Sequence, residues 1–426
     1  MNIYFSTFGC KVNQYETQEM SELLTTAGYS VCASPEEAQI IIVNSCTVTA
    51  EGVRKVRQTF RKLKKINPDA IMVLTGCASQ AEPDIIKDLP ETDILMGNKS
   101  NINIVNIINT YLKKPVPLNA HEKHSREDCF AGSGITSFDG HTRAFLKIQD
   151  GCDRYCSYCL IPYARGFSRS KELYDIDREL KALNDNGYKE IVFVGINLSD
   201  YGKNTEFSLP DALELAEKYP NIKRVRLGSL EPDHITKEMI ERLAKLKKLC
   251  PQFHISLQSG SNSVLKKMNR HYTAEEYEEL TQNLRKHFKN ATITTDILTG
   301  FPTETEEEFN ETLAFAKKIQ FEKAHIFPYS IRKGTAAAKL PQLQNSVKEE
   351  RAKILTEATN ETRINFLKSQ IGKTVTVLFE SDKPEFSEGY TENYTPVRVF
   401  DKEKRAGNIL KIKIVDTKDD YCIGVI

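Results

Sequence analysis

Three cysteines, Cys152, Cys156 and Cys159, form a C-x3-C-x2-C pattern directly after an apolar, strand-like segment. A structural zinc site usually takes four protein ligands, from cysteine pairs or from cysteines and histidines together. A fourth ligand is not evident here, since the nearest downstream histidine is His234. Three thiolates suit a cubane iron–sulfur cluster, in which each ligated iron takes one cysteine. The spacing therefore predicts a cluster with one iron left open for another molecule.

Three further cysteines, Cys10, Cys46 and Cys77, follow three successive strand-like segments near the start of the chain. The carboxyl ends of parallel strands meet at one edge of an open α/β sheet, where ligand sites are built. The helices that follow point their N-termini toward the same edge, which favours thiolates. A single cysteine there would be interpreted as a buried apolar residue. Three at equivalent places predict a second shared site.

The elements that position these cysteines can be predicted from hydrophobic periodicity. The first 111 residues or so alternate apolar strands at 3–5, 39–43 and 70–74 with helices at 14–27, at 49–65 and past Pro83. This pattern is typical of a parallel, doubly wound sheet. Residues 113–140 contain prolines, a Gly-Ser-Gly sequence and scattered charges, and we interpret them as a linker.

Six strand–helix units follow the linker. The predicted strands cover 144–148, 190–194, 225–228, 254–257, 292–298 and 324–327, and the helices 173–186, 210–218, 237–249, 274–287 and 306–318. Six parallel units predict a partial (β/α)6 TIM-like barrel with its site at the carboxyl ends of the strands. The second cysteine set follows the first of these strands, and polar or glycine-containing loops follow the others.

The last part of the chain changes character. A helix-rich connection at 347–368 leads to strand-like alternation at 374–379, 397–400 and 410–415, which predicts a small all-β domain. Acidic residues outnumber basic ones by one in 369–426, so charge alone does not favour RNA binding there. We therefore expect an α/β multidomain protein. Its predicted divisions are an N-terminal domain (1–112), a linker (113–140), a partial barrel (141–368) and a β domain (369–426).

Composition sets broader limits. A chain of 426 residues with 40% hydrophobic and 27% charged residues is typical of a globular protein of two or three domains. Its net charge of +1 excludes a global attraction to nucleic acid or membrane. We expect a cytoplasmic protein, because the sequence contains neither a signal peptide nor a membrane-spanning run. Four of the ten cysteines receive no role: Cys32, Cys129, Cys250 and Cys422.

One predicted helix is strongly basic. Residues 54–65 include seven Lys or Arg and no Asp or Glu. Val53, Val56, Phe60 and Leu63 recur at helical spacing and can face a core, which leaves the basic face outward. Two interpretations stay open: a solvated helix face or a contact with RNA phosphates.

Two cysteine triads followed by a terminal β domain resemble the methylthiotransferases, a branch of the radical S-adenosylmethionine enzymes, over essentially the whole chain. The resemblance implies that Cys10, Cys46 and Cys77 hold an auxiliary 4Fe–4S cluster that carries the sulfur to be inserted. It implies that Cys152, Cys156 and Cys159 hold a second 4Fe–4S cluster that cleaves S-adenosylmethionine to a 5′-deoxyadenosyl radical. The terminal domain would then be a TRAM module.

Residues 7–17, which read Thr-Phe-Gly-Cys-Lys-Val-Asn-Gln-Tyr-Glu-Thr, are similar to the subfamily that acts on threonylcarbamoyladenosine beside the tRNA anticodon. The subfamily acting on isopentenyladenosine tends to have Gln-Met after the first cysteine, and the one acting on a ribosomal protein aspartate tends to have Pro-Lys. Lys11-Val12 fits neither, and residues 195–202 also match the first subfamily. The implied partner is a tRNA anticodon stem-loop, with the other two substrates as alternatives.

The resemblance also implies roles at the barrel mouth. Five residues would lie along S-adenosylmethionine: Tyr158, Gly195, Asn197, Ser229 and Gln258. Asp296 is either a polar residue of the substrate site or a hydrogen-bond anchor of the barrel. A one-electron donor such as flavodoxin or ferredoxin would reduce the Cys152 cluster. The alternative of another class, a non-catalytic iron–sulfur protein that carries electrons or binds RNA, leaves the missing fourth ligands unexplained.

Overall fold

The N-terminal part of the chain is a six-stranded parallel sheet covered by helices on both faces. The computed structural model describes residues 1–203 and 205–426. The strands are β1 (Asn2–Thr7), β2 (Ser30–Val31), β3 (Ile40–Ser45), β4 (Ile71–Gly76), β5 (Ile94–Met96) and β6 (Leu118–Ala120). The helices are α1 (Lys11–Thr26), α2 (Ala50–Ile66), α3 (Cys77–Ala81) and α4 (Ile104–Lys113). The predicted doubly wound sheet is confirmed in its parallel pairing.

The strand order β2-β1-β3-β4-β5-β6 explains where ligands can bind. The chain turns outward from β1 to β2 and then crosses back to β3, so the order reverses between β1 and β3. In open α/β sheets the crevice at such a reversal is where ligands bind. The loops after β1 and β3 flank that crevice, and β4 lies next to β3. All six residues of β3 are buried, because helices cover both faces of the sheet.

The middle of the chain forms two parallel sheets that together supply the six predicted strand positions. The strands are β7 (Ala144–Lys147), β8 (Gln149–Asp150), β9 (Arg169–Ser170), β10 (Glu190–Val194), β11 (Arg224–Leu227), β12 (Ser229–Leu230), β13 (Gln252–Ile255), β14 (Thr292–Thr299) and β15 (Lys323–Pro328). The helices are α5 (Ile161–Arg165), α6 (Leu173–Asp185), α7 (Leu209–Leu215), α8 (Lys237–Leu243), α9 (Asn262–Lys267), α10 (Ala274–His287) and α11 (Glu306–Ile319). The sheets have the orders β11-β10-β7 and β12-β13-β14-β15, and Gly228 separates β11 from β12. The pair β8–β9 is antiparallel.

Two predicted boundaries in this region were wrong. The helix predicted at 237–249 ends at Leu243, because Leu249 pairs with Val225 of β11 in an isolated parallel bridge. The fourth barrel strand begins at Gln252 and ends at Ile255, two residues earlier than predicted. It ends early because the carbonyls of Ser256 and Leu257 accept hydrogen bonds from the Tyr272 hydroxyl, at 2.9 and 2.7 Å.

The C-terminal segment is a closed five-stranded β-barrel. Its strands are β16 (Thr374–Asp382), β17 (Ser387–Thr391), β18 (Pro396–Val399), β19 (Ile409–Lys418) and β20 (Tyr421–Val425), in the order β16-β17-β18-β20-β19. The sequence predicted three of them and missed β17 and β20. The sequence of β17, Ser-Glu-Gly-Tyr-Thr, contains too few apolar residues to give a strand signal.

One long helix, α12 (Asn345–Lys368), connects the middle of the chain to this β-barrel. Leu355 is buried in the large core of the middle region, and Leu367 is buried in the core of the terminal barrel. The helix therefore belongs to both cores. Across the described residues, no helix combines the length and the apolar character needed to cross a bilayer.

The segment 113–140 is more ordered than the prediction of a linker suggested. Its residues 118–120 form β6, the sixth strand of the N-terminal sheet. Further on, the backbone N–H groups of Ser133 and Thr136 donate to Glu19 and Glu22 of α1, at 2.7 and 2.9 Å. These bonds hold the segment against α1. The two glutamate carboxylates accept hydrogen bonds from backbone N–H groups that would otherwise have to bond to water.

Candidate active site

The first cysteine set comes together at the carboxyl edge of the N-terminal sheet. The side chain of Asn13 lies between two members, with its Oδ1 atom 3.4 Å from Cys10 Sγ and 3.9 Å from Cys77 Sγ. Cys46 approaches from the neighbouring loop, since a Cβ atom added at Gly9 would lie 3.2 Å from its Sγ. Gly9 has a φ of +103°, so a larger residue there would be both strained and crowded. The three sulfurs thus border one space.

Burial raises the pKa of two of these thiols. Cys77 is buried at the start of α3, and this burial raises the pKa of its thiol to about 12. Burial also raises the pKa of Cys46. A thiol that stays protonated at neutral pH must lose its proton to bind a metal, so a metal ion or cluster supplies the compensating charge. The donor set therefore suits a cluster with three thiolate ligands.

The second cysteine set lies in the loop between β8 and α5, which backbone hydrogen bonds hold in place. Cys152 N donates to Gly166 O at 2.9 Å, and Cys159 N donates to Cys156 O at 3.0 Å. Burial, followed by the proximity of Cys156, raises the pKa of the Cys159 thiol to about 12. Among the described residues no group of three or more His, Cys, Asp or Glu surrounds a single metal ion. A cubane cluster does not need several side chains around one ion, because each iron takes its own thiolate.

A buried arginine contacts each cysteine set. In the second set, Arg270 Nη1 lies 3.4 Å from Cys156 Sγ and 3.2 Å from Glu231 Oε1. The Nε atom of Arg270 also donates to the Tyr272 hydroxyl at 3.0 Å. Sequence reasoning missed this arginine, since a lone Arg far along the chain from the cysteines carries no local signal.

Arg165 contacts the first set, although it lies on α5 just after the second. Its Nε atom is 3.2 Å from Cys77 Sγ, and its Nη2 atom donates to Asn13 Oδ1 at 3.2 Å and to Glu16 Oε2 at 3.0 Å. The side chain is completely buried. Lys147 of β7 also pairs with Glu16, at 2.8 Å. Arg165 therefore joins the loop of the second set to the cysteines of the first.

Three of the residues predicted along the cofactor lie at the mouth of the barrel. Gly195 and Ser229 line a large cavity there. Asn197 is 3% exposed, and neither its Nδ2 nor its Oδ1 atom has a hydrogen-bond partner within the described residues. Its backbone N–H donates to Gln149 Oε1 at 2.8 Å. A buried amide left without partners is costly, so a bound group at this position would satisfy it.

The other two predicted residues, Gln258 and Tyr158, are not among the residues that line this cavity. Gln258 has a left-handed backbone with φ of +66°, and its N–H donates to Asp296 O at 2.8 Å. Tyr158 packs against a small apolar cluster that includes Met268 and Phe301. Burial, with Cys156 nearby, raises the pKa of its hydroxyl well above the usual value. The tyrosine is therefore a neutral aromatic surface beside the second cysteine set.

The cavity has a volume of about 840 Å³ and lies inside the partial barrel. Cys10 and Lys11 of the N-terminal part line one portion of it, and Tyr390 and Tyr394 of the terminal β-barrel line another. Asp296 also faces the cavity, and its Oδ2 atom lies 3.1 Å from His254 Nε2. A volume of this size is in the range of ligand sites. All three parts of the chain therefore contribute to one chamber.

The terminal β-barrel forms one wall of this chamber through the turn between β17 and β18. Tyr394 has a φ of +64° in that turn and stacks on Tyr390, with ring centroids 4.5 Å apart. Arg226 of β11 donates to Glu190 Oε1 at 2.7 Å and to Thr391 O at 2.7 Å. Its guanidinium also lies 4.8 Å from the Tyr394 ring centroid. The turn is thus bound directly to the middle region.

Lys11 carries a positive charge into the chamber. It is the first residue of α1, and its side chain is accessible from the cavity although protein surrounds it. This burial, with repulsion from Arg143 and Arg226, lowers the pKa of Lys11 to about 8. The resemblance pointed to Lys11 as a subfamily marker, and no local sequence pattern indicated that it faces the site.

The basic helix is α2, and acidic residues outside 54–65 partly neutralise its charge. Arg54 pairs with Glu51 at 2.6 Å, one turn earlier on the same helix. Arg57 pairs with Asp88 at 2.9 Å. The apolar face packs as predicted, with Val53 and Phe60 among its buried residues. A contact with RNA phosphates therefore remains a prediction, with fewer available charges than the sequence suggested.

Comparison with known proteins identifies the family. Residues 146–316 match the model of the Radical SAM superfamily, and residues 2–97 match that of Uncharacterized protein family UPF0004. The threonylcarbamoyladenosine tRNA methylthiotransferase MtaB of Bacillus subtilis (strain 168) is 36% identical over 430 residues, which span 99% of this chain and 95% of the relative. The chain belongs to the radical S-adenosylmethionine methylthiotransferases.

Other similarities agree with this assignment to the methylthiotransferases. A tRNA-2-methylthio-N(6)-dimethylallyladenosine synthase of Clostridium botulinum (strain Loch Maree / Type A3) is 35% identical over 425 residues, 97% of this chain and 94% of the relative. Among solved structures, the radical S-adenosylmethionine methyltransferase TsrM from Kitasatospora setae, with cobalamin and a [4Fe-4S] cluster bound, has a TM-score of 0.57 at 15% identity, over 79% of this chain and 77% of that one. At that identity the likeness concerns the fold alone.

Proposed function

We propose that this protein inserts a methylthio group at C2 of N6-threonylcarbamoyladenosine, beside the anticodon of tRNA, by radical S-adenosylmethionine chemistry. The observation that carries the proposal is a single chamber lined by Cys10, Gly195 and Ser229. Cys10 belongs to the set that would hold the sulfur. Gly195 and Ser229 lie where S-adenosylmethionine would bind. A substrate base in the chamber would therefore meet both reactants.

The choice of modified adenosine depends on the residues after Cys10. Relatives named for threonylcarbamoyladenosine and for dimethylallyladenosine are almost equally similar to this chain, at 36% and 35% identity. Overall identity therefore does not separate the two substrates. Lys11-Val12 supports threonylcarbamoyladenosine, because the isopentenyladenosine subfamily tends to have Gln-Met at these positions.

When bound, the two clusters and S-adenosylmethionine would supply the electron, the radical and the sulfur. The chain supplies binding and orientation. The two unpartnered amide atoms of Asn197 would form hydrogen bonds with the cofactor. Arg270 and Arg165 each place a guanidinium beside one cysteine sulfur, at 3.4 Å from Cys156 and 3.2 Å from Cys77. Hydrogen bonds to cluster sulfurs tune reduction potential, so both arginines would set the electronic properties of their cluster.

The finer assignments belong to the same proposal. The auxiliary cluster would lie on Cys10, Cys46 and Cys77, and a donor such as flavodoxin or ferredoxin would reduce the other. The closed β-barrel at 369–426 would be a TRAM module, beside an N-terminal domain (1–112), a linker (113–140) and a partial barrel (141–368). The target adenine must leave the stack of the anticodon loop to enter the chamber, at a cost of a few kcal/mol.

Reconstituted enzyme tests the substrate directly. We would supply iron, sulfide, S-adenosylmethionine and a reductant under anaerobic conditions, with anticodon stem-loops that carry threonylcarbamoyladenosine, isopentenyladenosine or unmodified adenosine. Mass spectrometry of the nucleosides should detect a methylthio group on the first stem-loop only. A product on isopentenyladenosine, with none on threonylcarbamoyladenosine, would contradict the proposal.

Asn197→Ala should weaken the binding of S-adenosylmethionine about tenfold, which corresponds to the loss of one or two hydrogen bonds. The iron content should stay unchanged, because Asn197 is not one of the predicted cluster ligands. Equilibrium dialysis of the iron-loaded protein measures both quantities. Asn186→Ala is the matched control, since Asn186 lies at the exposed end of α6 and its side-chain amide donates to Thr136 O at 2.8 Å. Equal affinities of the two variants would remove Asn197 from the cofactor site.

A further inference from the structure

Two lysines face the chamber without a partner. Six basic residues line it: Lys11, Arg143, Arg226, Lys323, Arg363 and Arg398. The four arginines are engaged. Arg143 and Arg226 pair with Glu190, Arg398 pairs with Glu388, and Arg363 donates to the backbone carbonyls of Glu322 and Asp420. In the parts of the chain that the structure describes, the ammonium groups of Lys11 and Lys323 make neither an ion pair nor a hydrogen bond.

These two lysines reach the chamber from different parts of the chain. Lys11 begins α1 directly after Cys10, and Lys323 begins β15 at the edge of the barrel sheet. Both line the same chamber as His325, which lies two residues along the same face of β15 from Lys323. Four acids also line it, Asp296, Glu322, Glu388 and Asp420. Glu322 pairs with Arg285 and Glu388 with Arg398, and within the described residues none of the four lies at ion-pair distance from either lysine. Unpaired cations in a partly enclosed chamber favour an anionic ligand.

We infer that Lys11 and Lys323 bind the carboxylate of the threonyl group on the target adenosine and so select this substrate over adenosines with a neutral N6 substituent. The inference rests on the proposed function and adds to it the residues that recognise the substituent. Isopentenyladenosine has no charge at this position. An enzyme that acts on it would gain nothing from two unpaired lysines in the chamber and would lose the energy of desolvating them.

A phosphate of the tRNA backbone is the other possible anion. Lys11 follows Cys10, where the sulfur would be held for transfer to C2 of the adenine. In adenine, C2 is as many bonds from N6, which carries the substituent, as from N9, which carries the ribose. A position beside the sulfur therefore does not separate the two anions, and a comparison of stem-loops with identical phosphates does.

The test compares two stem-loops that differ only in this charge. One carries threonylcarbamoyladenosine, and the other carries its neutral threoninamide, so the phosphates are identical. Iron-loaded wild-type protein should bind the acid about tenfold to a hundredfold more tightly, as for a hydrogen bond to a charged group. Lys11→Met and Lys323→Met should each reduce this ratio, mainly by weakening binding of the acid. Lys11→Arg should retain most of it.

Controls separate recognition from damage to the site. Iron content should match wild type in both methionine variants, because neither lysine is a cluster ligand. Lys245→Met, at an exposed lysine outside the chamber, should leave the acid-to-amide ratio unchanged. Equal weakening of both stem-loops would assign the lysines to phosphate and overturn the inference, as would a wild-type ratio near one. A high ratio without any methylthiolated product would instead contradict the proposed reaction while leaving the recognition intact.

Discussion

Replacing Cys10, Cys46 and Cys77 together by alanine should leave about half of the iron, since two clusters of equal size would become one. The variant should still cleave S-adenosylmethionine under strong reduction, because its second cysteine set is unchanged. It should form no methylthiolated tRNA, because the set that would hold the sulfur is gone. Iron and sulfide analysis, 5′-deoxyadenosine formation and nucleoside mass spectrometry measure the three effects.

The reciprocal variant makes this test decisive. Replacing Cys152, Cys156 and Cys159 by alanine should also leave about half of the iron, but it should abolish cleavage of S-adenosylmethionine. Cys32→Ala is the control within the N-terminal sheet, since Cys32 follows the short strand β2 and its Sγ lies 3.5 Å from Ile3 O, near the start of β1 rather than at its carboxyl end. Loss of all iron in either triple variant, or methylthiolation without the first set, would show that the two sites are not separate clusters.

Arg165→Met should lower the free energy of unfolding by about 3–5 kcal/mol, the usual cost of removing one partner of a buried ion pair. The substitution leaves Glu16 and the Cys77 thiol without their guanidinium partner inside the protein. Urea denaturation followed by circular dichroism measures the change. The cluster on the first set should also change its electron paramagnetic resonance signal, because a hydrogen bond to a ligand sulfur is lost.

An exposed ion pair provides the control for this prediction. Arg178 pairs with Asp175 on the surface of α6 at 2.9 Å, with 55% of its side chain exposed. Arg178→Met should cost no more than about 1 kcal/mol, as surface pairs usually do. Similar stabilities of the two variants, or an unchanged spectrum in Arg165→Met, would mean that Arg165 does not support the first cysteine set.

The sequence predicted the elements that carry the site better than it predicted the contacts within the site. Strand ends could be located because β3 and β4 are apolar runs followed by polar residues, and this placed Cys46 and Cys77 at the sheet edge. The parallel α/β architecture followed from the same periodicity. The strand β6 was missed because it is short and pairs with β5, which lies on the other side of α4 in the sequence. The strand β17 was missed because its sequence contains few apolar residues.

The chamber itself could not be predicted. Arg165 reaches Cys77 across 88 residues of sequence, and Arg226 reaches Thr391 across 165. Such pairs depend on how the three parts of the chain pack, which local patterns do not encode. Lys323 is one of many lysines in the sequence, and only the fold reveals that it faces the same space as Lys11. Neutralisation of α2 by Asp88 is a similar case.

The nucleosides of cellular tRNA test the central claim most directly. We would compare them by mass spectrometry in cells that lack this gene, with and without the gene restored. The account predicts that the methylthio group on threonylcarbamoyladenosine disappears in the deletion and returns with the intact gene, but not with a gene that carries Cys10→Ala. Unchanged tRNA nucleosides in the deletion strain would contradict the assignment to tRNA.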